Sequence, residues 1–287
     1  MRALVTGAGG FVGRHLVARL RADGWDVVGL GRRDVDLTDP AAATAAVRAA
    51  DPDVVFSLAA ARAKATAAER AATVAVNTSP WLVDALPVRC RAVVRLGSST
   101  EYAASSRPLT EAAALEPRGF FGATKAAGSL LLRAAAAERG VRAVVLRAFQ
   151  VYGPHDHPTR LVPVVLEAAR SGRTVPLPAR VSRRDWVWVG DVVDACVRAA
   201  DDDELPQGTV LNIGTGVQTS TEELVAIAEQ VTGRTIATAP GAHPGREWDT
   251  TDWVADPGAA RRLLGWAPTV DLAEGLARTW ATVRDLT

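Results

Sequence analysis

The chain has 287 residues and a net charge of +1; 48% of its residues are hydrophobic and 23% are charged. This composition is typical of a globular protein with one large domain, or with two small domains that share a core. A charge so near zero, with no basic stripe, no zinc-finger spacing and no apolar run long enough to cross a bilayer, excludes nucleic acid and membranes as expected partners.

The first half of the chain alternates short apolar runs with helical patterns. Strands are predicted over residues 2–6, 26–31, 54–58, 92–96 and 143–147. Helices are predicted from Val12 to Leu20, over 40–50 with Asp39 as the N-cap, around 77–86 and over 121–139. This alternation predicts an α/β fold of the Rossmann type, a doubly wound parallel sheet covered by helices on both faces.

The regular alternation of predicted strands and helices ends after Pro154, where prolines, glycines and short helices dominate. Strand-like runs remain at 186–189 and 210–212. We predict a dinucleotide-binding domain of residues 1–153 and 184–213, and a smaller C-terminal substrate lobe of 154–183 and 214–287. The lobe is expected over the carboxyl edge of the sheet, where open α/β folds bind ligands.

Three glycines stand in register directly after the first predicted strand, at Gly7, Gly10 and Gly13. The first permits a tight turn, the second a close approach of backbone to a pyrophosphate, and the third a close contact between helix and sheet. The free amides at the start of the helix, which include Phe11 and Val12, face phosphate oxygens. In this strand–turn–helix context the run predicts a dinucleotide site.

The second predicted strand ends without a carboxylate, and Arg32 and Arg33 follow it. Charge-assisted bonds from a guanidinium to phosphate are worth about 1.5–3 kcal/mol each, so we predict NADPH/NADP+ rather than NADH as the cofactor. Plain surface charge is the other interpretation of these arginines. The remaining predicted cofactor contacts flank the adenine or follow the third strand: Asp36, Leu37, Leu58, Ala59 and Ala60.

These motifs continue to the end of the chain. Further landmarks are residues 36–40, 98–102, 146–147 with 151–154, 184–187, 212–214 and 263–268. In this order they resemble the extended short-chain dehydrogenase/reductase family, the NAD-dependent epimerase/dehydratase group, over the whole chain. The segment 36–40 is similar to that of nucleotide-sugar 4-ketoreductases.

The resemblance implies a catalytic hydroxyl, a tyrosine and a lysine. Ser98 matches the hydroxyl position, with Ser99 second, and Lys125 matches the lysine that holds the nicotinamide ribose. Phe121 stands where the family has its proton-donating tyrosine. Removing a general acid typically costs about 10²–10⁴ in rate, so this difference bears directly on function.

Several sources of a proton stay open. Tyr152 could donate, whereas Tyr102 is expected to be a packing residue. His155 and His157 are expected to be solvated loop residues rather than metal ligands, and no metal site is predicted. Glu101 is expected to be exposed and ionised. The substrate itself, a ketone beside an acidic phenol, is the remaining donor.

The carboxyl half is rich in tryptophan, and large indoles favour a flat aromatic ligand. The predicted substrate pocket is Phe121, Gln150, Tyr152, Trp186, Arg246 and Trp248. Members of the family without the tyrosine reduce aromatic polyketides, so the resemblance implies an NADPH-dependent ketoreductase of an angucyclinone-like ketone in antibiotic biosynthesis. The alternatives are a nucleotide-sugar 4-ketoreductase or epimerase, and an NADPH-binding protein without catalysis.

The sequence also predicts where and in what form the chain exists. Cys90 and Cys196 lie far apart in apolar surroundings, which favours buried, reduced thiols. The first residues have the pattern of a strand, not of a signal peptide. We therefore expect a cytoplasmic protein with a small-molecule substrate, as a monomer or a homodimer.

Overall fold

The computed structural model describes residues 1–62, 66–243 and 252–284. The strands are β1 (Arg2–Thr6), β2 (Asp26–Leu30), β3 (Val54–Ser57), β4 (Ala92–Ser98), β5 (Arg142–Ala148), β6 (Gln150–Tyr152), β7 (Val175–Pro178), β8 (Arg183–Trp188), β9 (Thr209–Ile213), β10 (Gln218–Ser220) and β11 (Thr238–His243). Six of them form one parallel sheet in the order β2-β1-β3-β4-β5-β9. The predicted Rossmann-type sheet is confirmed, because consecutive strands step outward on both sides of β1.

Helices cover both faces of this sheet, as their buried apolar residues require. They are α1 (Phe11–Ala22), α2 (Pro40–Ala50), α3 (Ala67–Thr78), α4 (Leu82–Ala85), α5 (Phe120–Glu138), α6 (Leu161–Ser171), α7 (Val189–Asp201), α8 (Thr221–Thr232), α9 (Gly258–Leu264) and α10 (Leu272–Val283). Asp39 caps α2, since its carboxylate accepts the amides of Ala41 and Ala42. The predicted cap is therefore confirmed.

The predicted helix over 77–86 is wrong. Thr66 and Glu69 form a capping box that begins α3 upstream, where the sequence shows little apolar periodicity. Ser79 then adopts a left-handed backbone with φ of 43°, which ends α3 at Thr78 and leaves α4 as a separate short helix. The capping box determines where α3 begins, and the hydrophobic pattern does not.

Helix α5 lies unusually close to its neighbours because of two glycines. A Cβ on Gly122 would stand 2.2 Å from the carbonyl oxygen of Thr100, in the 3-10 turn that follows β4. A Cβ on Gly128 would stand 2.1 Å from the carbonyl oxygen of Asn77 in α3. The absence of a side chain lets α5 pack directly on the turn after β4 at Gly122 and on α3 at Gly128.

The second half of the chain adds two small sheets, in the orders β10-β8-β6 and β11-β7, whereas β9 returns to the main sheet. The strand predicted over 186–189 runs from Arg183 to Trp188, and Val189 opens α7. Buried Asp185 joins the loops, since its carboxylate accepts the amides of Thr215, Gly216 and Ala255. The proposed division into two lobes stays a prediction.

Both cysteines are buried and free, as predicted. Burial raises the pKa of the Cys90 thiol to about 11 and that of Cys196 to about 12, so both thiols are protonated at neutral pH. Each helix in the described ranges is too short or too polar to traverse a lipid bilayer.

A buried ion pair links the end of β4, strand β5 and helix α5. Glu101 is fully buried, and its carboxylate accepts the Nε–H of Arg147 on β5 at 2.9 Å. It also accepts the Ser98 amide at 2.9 Å and the Ser129 hydroxyl of α5 at 3.1 Å. The predicted exposure of Glu101 is wrong, because a β-strand end and a helix close over it from two sides.

We expect Glu101→Gln to destabilise the fold by about 3–5 kcal/mol, because the mutation leaves the Arg147 charge buried without its counter-ion. Urea unfolding measures this loss. Glu274→Gln is the matched control, since Glu274 and Arg278 form an ion pair with both side chains 50% exposed, worth about 1 kcal/mol or less. Equal losses from the two substitutions would contradict the role assigned to the buried pair.

Candidate active site

The glycine loop between β1 and α1 has the shape of a pyrophosphate cradle. Gly7 has a φ of +73°, and a Cβ on Gly13 would stand 2.1 Å from the Gly7 carbonyl oxygen. Gly9 faces open space, with nothing within 4 Å of an added Cβ. Gly10 caps α1 without any side-chain bond, so no side chain competes for the first amides of the helix, those of Phe11 and Val12. These residues fit a dinucleotide phosphate.

The turn after β2 places charges of both signs at the expected adenosine ribose. Arg32 and Arg33 are exposed there. Asp34, which the sequence analysis missed, turns back so that its carboxylate accepts the Gly31 amide at 2.8 Å. A carboxylate therefore does stand at the end of β2, delivered by a tight turn rather than by the strand. No periodicity in the sequence indicated this return, which depends on the geometry of the turn.

The other predicted cofactor contacts occupy two stretches near this edge. Asp36 is exposed and accepts both the amide and the hydroxyl of Thr38, and these bonds lower the pKa of its carboxyl. Leu37 packs against the core. After β3, Leu58 is buried, whereas Ala59 is half-buried and Ala60 exposed. An added Cβ on Gly7 would stand 2.8 Å from the Ala59 amide nitrogen, so the two loops meet.

Ser98 ends β4 and lies half-buried at the carboxyl edge of the sheet. Its hydroxyl bonds the Thr100 hydroxyl at 2.8 Å and accepts the Thr100 amide, so the 3-10 turn fixes its rotamer. Ser99 is almost completely buried, at 5% exposure, which makes Ser98 the better-placed hydroxyl for a substrate. Thr100 is a neighbour that the sequence analysis did not single out.

Lys125 lies one helical turn beyond the start of α5, with its side chain buried and its Nζ donating to the carbonyl oxygen of Leu96 at 2.5 Å. The pKa of Lys125 is lowered to about 7, chiefly by burial and in part by the Arg95 charge, while the Glu101 charge opposes the lowering. Arg95 is itself buried and donates to the Asn77 carbonyl, and burial lowers its pKa to about 10. A buried cation and a buried carboxylate therefore act in opposite directions on the amine, and burial decides its low pKa.

Phe121 is half-buried in the first turn of α5, one turn before Lys125. The guanidinium of Arg62 lies over its ring, with the guanidinium carbon 4.3 Å from the ring centre. A cation–π contact of this kind contributes about 0.5–1 kcal/mol at an exposed site. Arg62 follows the β3 loop, and nothing in its sequence context indicated this contact.

Asn77 ties that loop to α5 and was also missed. Its side-chain amide accepts the Ala61 amide at 2.8 Å, donates to the Ala61 carbonyl at 3.0 Å and donates to the Thr124 hydroxyl at 2.8 Å. Thr124 in turn donates to the Phe121 carbonyl. The chain just before Arg62 is therefore fastened to the turn of α5 that carries Phe121 and Lys125.

Two members of the predicted substrate pocket lie elsewhere. Tyr152 has no exposed surface, and its hydroxyl donates to the Asp271 carbonyl at 3.1 Å. Burial raises its pKa well above the usual range, so the structure contradicts a role for Tyr152 as proton donor. Trp186 is 7% exposed, packs edge-on against Tyr152 and lines a cavity of about 290 Å³. That cavity is bounded by the segments 215–219 and 268–272, and neither Ser98 nor Lys125 lines it.

Of the remaining predicted residues, some are described by the structure and two are not. Gln150 is half-buried at the start of β6, in register with Trp186. Arg246 and Trp248 lie outside the described residues. Tyr102 is buried and donates to Asn212 at 2.6 Å, which confirms it as a packing residue.

No group of three metal-ligating side chains occurs in the described ranges. His15 Nε2 lies 2.9 Å from the Pro154 carbonyl oxygen, and its ring lies against that of His155. Burial lowers the pKa of His15. His155 has a φ of 65°, a left-handed backbone that strains a residue with a Cβ.

Comparison with known proteins decides the family. The profile of the NAD dependent epimerase/dehydratase family matches residues 3–214. The chain belongs to this family. The matched residues include the glycine cradle, Ser98, Phe121 and Lys125.

Relatives resemble the chain over nearly its whole length. It is 36% identical to a UDP-glucose 4-epimerase of Mycolicibacterium smegmatis, over 97% of each chain. It is 31% identical to a dTDP-6-deoxy-L-talose 4-dehydrogenase of Kitasatospora kifunensis, over 97% of this chain and 94% of the relative. Among solved structures, MoeE5 in complex with UDP-glucose and NAD superposes with a TM-score of 0.89 at 29% identity, covering 99% of both chains.

The buried Lys125 amine makes a testable contribution to stability. In the free protein its pKa lies near 7 and in the unfolded chain near 10.5, so between these values the unfolded state binds more protons and stability rises with pH. Below pH 7 the full cost of a buried charge is present. We expect Lys125→Met to stabilise the free protein most below pH 7, and the gain to shrink steadily toward pH 10.5.

Thermal unfolding of the two proteins across this pH range measures the difference. Lys64→Met is the matched control for the loss of a lysine, because Lys64 is the other lysine of the chain. A gain that does not change with pH would contradict the buried, uncharged amine.

Proposed function

We propose that the chain is a nicotinamide-dependent oxidoreductase of nucleotide sugars, and that it reduces a 4-keto sugar. The observation that carries this is the grouping of Ser98 and Lys125 at the end of β4, beside a Phe121 that cannot exchange a proton. The relatives that match nearly the whole chain act on nucleotide sugars by name, and MoeE5 holds UDP-glucose together with NAD. These similarities support the substrate class.

The missing phenol favours reduction over epimerisation. A 4-epimerase must remove the proton of a sugar hydroxyl and later return one, so it needs both a base and an acid at one oxygen. A ketoreductase needs one proton, and this proton can follow the hydride and come from water. A phenylalanine at position 121 is therefore a smaller handicap for a reductase than for an epimerase.

Each part of the site has a separate role in this proposal. The dinucleotide, when bound, supplies the hydride. The glycine loop of 7–13 holds its pyrophosphate, and Lys125 is placed to hold the nicotinamide ribose once it is charged. Ser98 donates a hydrogen bond to the carbonyl oxygen, with its rotamer held by Thr100. Phe121 forms an apolar wall that excludes water from one side of the reacting carbon.

The polyketide substrate expected from the sequence has no support among the relatives. The predicted aromatic surface is also reduced, because Trp186 and Tyr152 pack against each other in the interior. We therefore prefer the nucleotide-sugar alternative. The cytoplasmic location and the state as monomer or homodimer stay predictions.

Oxidation of NADPH or NADH by the purified protein tests the function with three compounds: dTDP-4-keto-6-deoxyglucose, UDP-glucose and an aromatic polyketide ketone. We expect the keto sugar to be reduced. Ser98→Ala should lower kcat by about 10²–10³ with little change in KM, because the hydroxyl acts mainly on the developing oxyanion. Ser171→Ala, in an exposed serine at the end of α6, is the control.

Interconversion of UDP-glucose with UDP-galactose without net cofactor oxidation would show an epimerase instead. Reduction of the polyketide ketone alone would restore the expectation drawn from the sequence. Binding of the dinucleotide without turnover of any of the three compounds would leave a cofactor-binding protein.

We further propose NADPH as the preferred reductant, since the guanidiniums of Arg32 and Arg33 are exposed directly after β2, whereas the Asp34 and Asp36 carboxylates accept hydrogen bonds from Gly31 and Thr38. Replacing both arginines by alanine should raise the KM for NADPH about tenfold or more and leave that for NADH unchanged. Arg48→Ala, an exposed arginine of α2, should change neither value. A preference for NADH in the unmodified protein would contradict the proposal.

A further inference from the structure

The contact between Arg62 and Phe121 places a cation beside the position where the family has a proton donor. The Arg62 guanidinium carbon lies 4.3 Å from the centre of the Phe121 ring. A phenol hydroxyl would stand at the edge of this same ring. The cation and the missing hydroxyl therefore share one neighbourhood at the start of α5.

The backbone that carries Arg62 is fastened in place. Asn77 bonds both the amide and the carbonyl of Ala61, at 2.8 and 3.0 Å, and bonds Thr124 on α5 at 2.8 Å. These three bonds join the residue before Arg62 to the turn that follows Phe121. The backbone next to Arg62 is thus held by the fold, and the exposed Arg62 side chain extends from it to the Phe121 ring.

The charge of Arg62 also acts on two groups from different elements, Lys125 of α5 and Asp156 of the loop after β6. Burial lowers the pKa of Lys125, and the Arg62 charge adds to this lowering. Burial raises the pKa of Asp156, and Arg62 is among the charges that oppose it. The guanidinium consequently lies within electrostatic reach of α5 on one side and of the loop at Asp156 on the other.

We propose that Arg62 stabilises the reacting carbonyl oxygen in place of the absent tyrosine, an inference that rests on the proposed function. A guanidinium that contacts a ring through its face keeps its N–H groups free in its own plane, so Arg62 can contact Phe121 and donate hydrogen bonds to an oxygen beside the ring. It does not release a proton at ordinary pH. Its role is therefore that of an oxyanion donor beside Ser98, and not that of an acid.

The step balances without a protein acid. The carbonyl carbon receives a hydride from the reduced dinucleotide, which becomes oxidised. The π pair of the C=O bond moves to oxygen, where Arg62 and Ser98 hold the negative charge. Water then protonates that oxygen, and the hydroxide it leaves is neutralised by the medium.

A second arginine on the same surface provides a matched control. The Arg70 guanidinium lies 5.5 Å from the centre of the Phe120 ring, between exposed positions of α3 and α5. Arg70→Met removes a comparable charge and a comparable ring contact without touching Phe121.

A double-mutant cycle tests the proposal, with kcat for ketone reduction as the measured quantity. Arg62→Met should lower kcat by about 10²–10³, and Arg62→Lys by about tenfold. In a Phe121→Tyr background, where a phenol again donates at this place, Arg62→Met should lose less than about tenfold. Arg70→Met should keep full activity, dinucleotide affinity should stay unchanged in all variants, and thermal unfolding should show at most the small loss of stability expected from one cation–π contact.

Equal losses in both backgrounds, or a loss confined to KM, would overturn the role of Arg62. Reduction of the aromatic ketone but not of the keto sugar, with the same dependence on Arg62, would overturn the proposed substrate and keep the arginine's role. If neither ketone is reduced by the unmodified protein, both proposals fall.

Discussion

The buried carboxylate of Glu101 is the constraint on which the site depends. It bonds the amide of Ser98 at the end of β4, the hydroxyl of Ser129 on α5 and the guanidinium of Arg147 on β5. One side chain thereby fixes the residue that carries the proposed catalytic hydroxyl, the helix α5 and the neighbouring strand with respect to each other. A carboxylate without exposed surface is tolerated here because each bond satisfies part of its charge.

Helix α5 positions a second group of the site, the amine of Lys125. Gly122 and Gly128 bring its backbone against the 3-10 turn and against α3, so Lys125 is carried into the protein interior. The amine then lies beside buried Arg95, and both desolvation and like charge hold its pKa down. Under the proposed function, ribose hydroxyl oxygens of the dinucleotide would favour the charged form of this amine. Close helix contact is thus what couples the fold to cofactor chemistry.

The sequence allowed the sheet, the glycine cradle and the span of α5 to be predicted, because these depend on local patterns of apolar residues, glycines and caps. Features that depend on distant partners were not accessible. The burial of Glu101 requires Arg147 on another strand, and the packing of Tyr152 requires Asp271 from the far end of the chain. The return of Asp34 to Gly31 depends on turn geometry that no periodicity reports.

The close approach at Gly122 has an evolutionary consequence. The place of α5 is determined by backbone contacts and not by the side chain of residue 121, which is half-buried at the helix start. Exchange between phenylalanine and tyrosine there adds or removes one hydroxyl oxygen, which takes no part in the backbone contacts that position α5. A single-nucleotide change can therefore remove or restore the phenol, so the reactivity of such a protein can change during evolution while its fold is conserved.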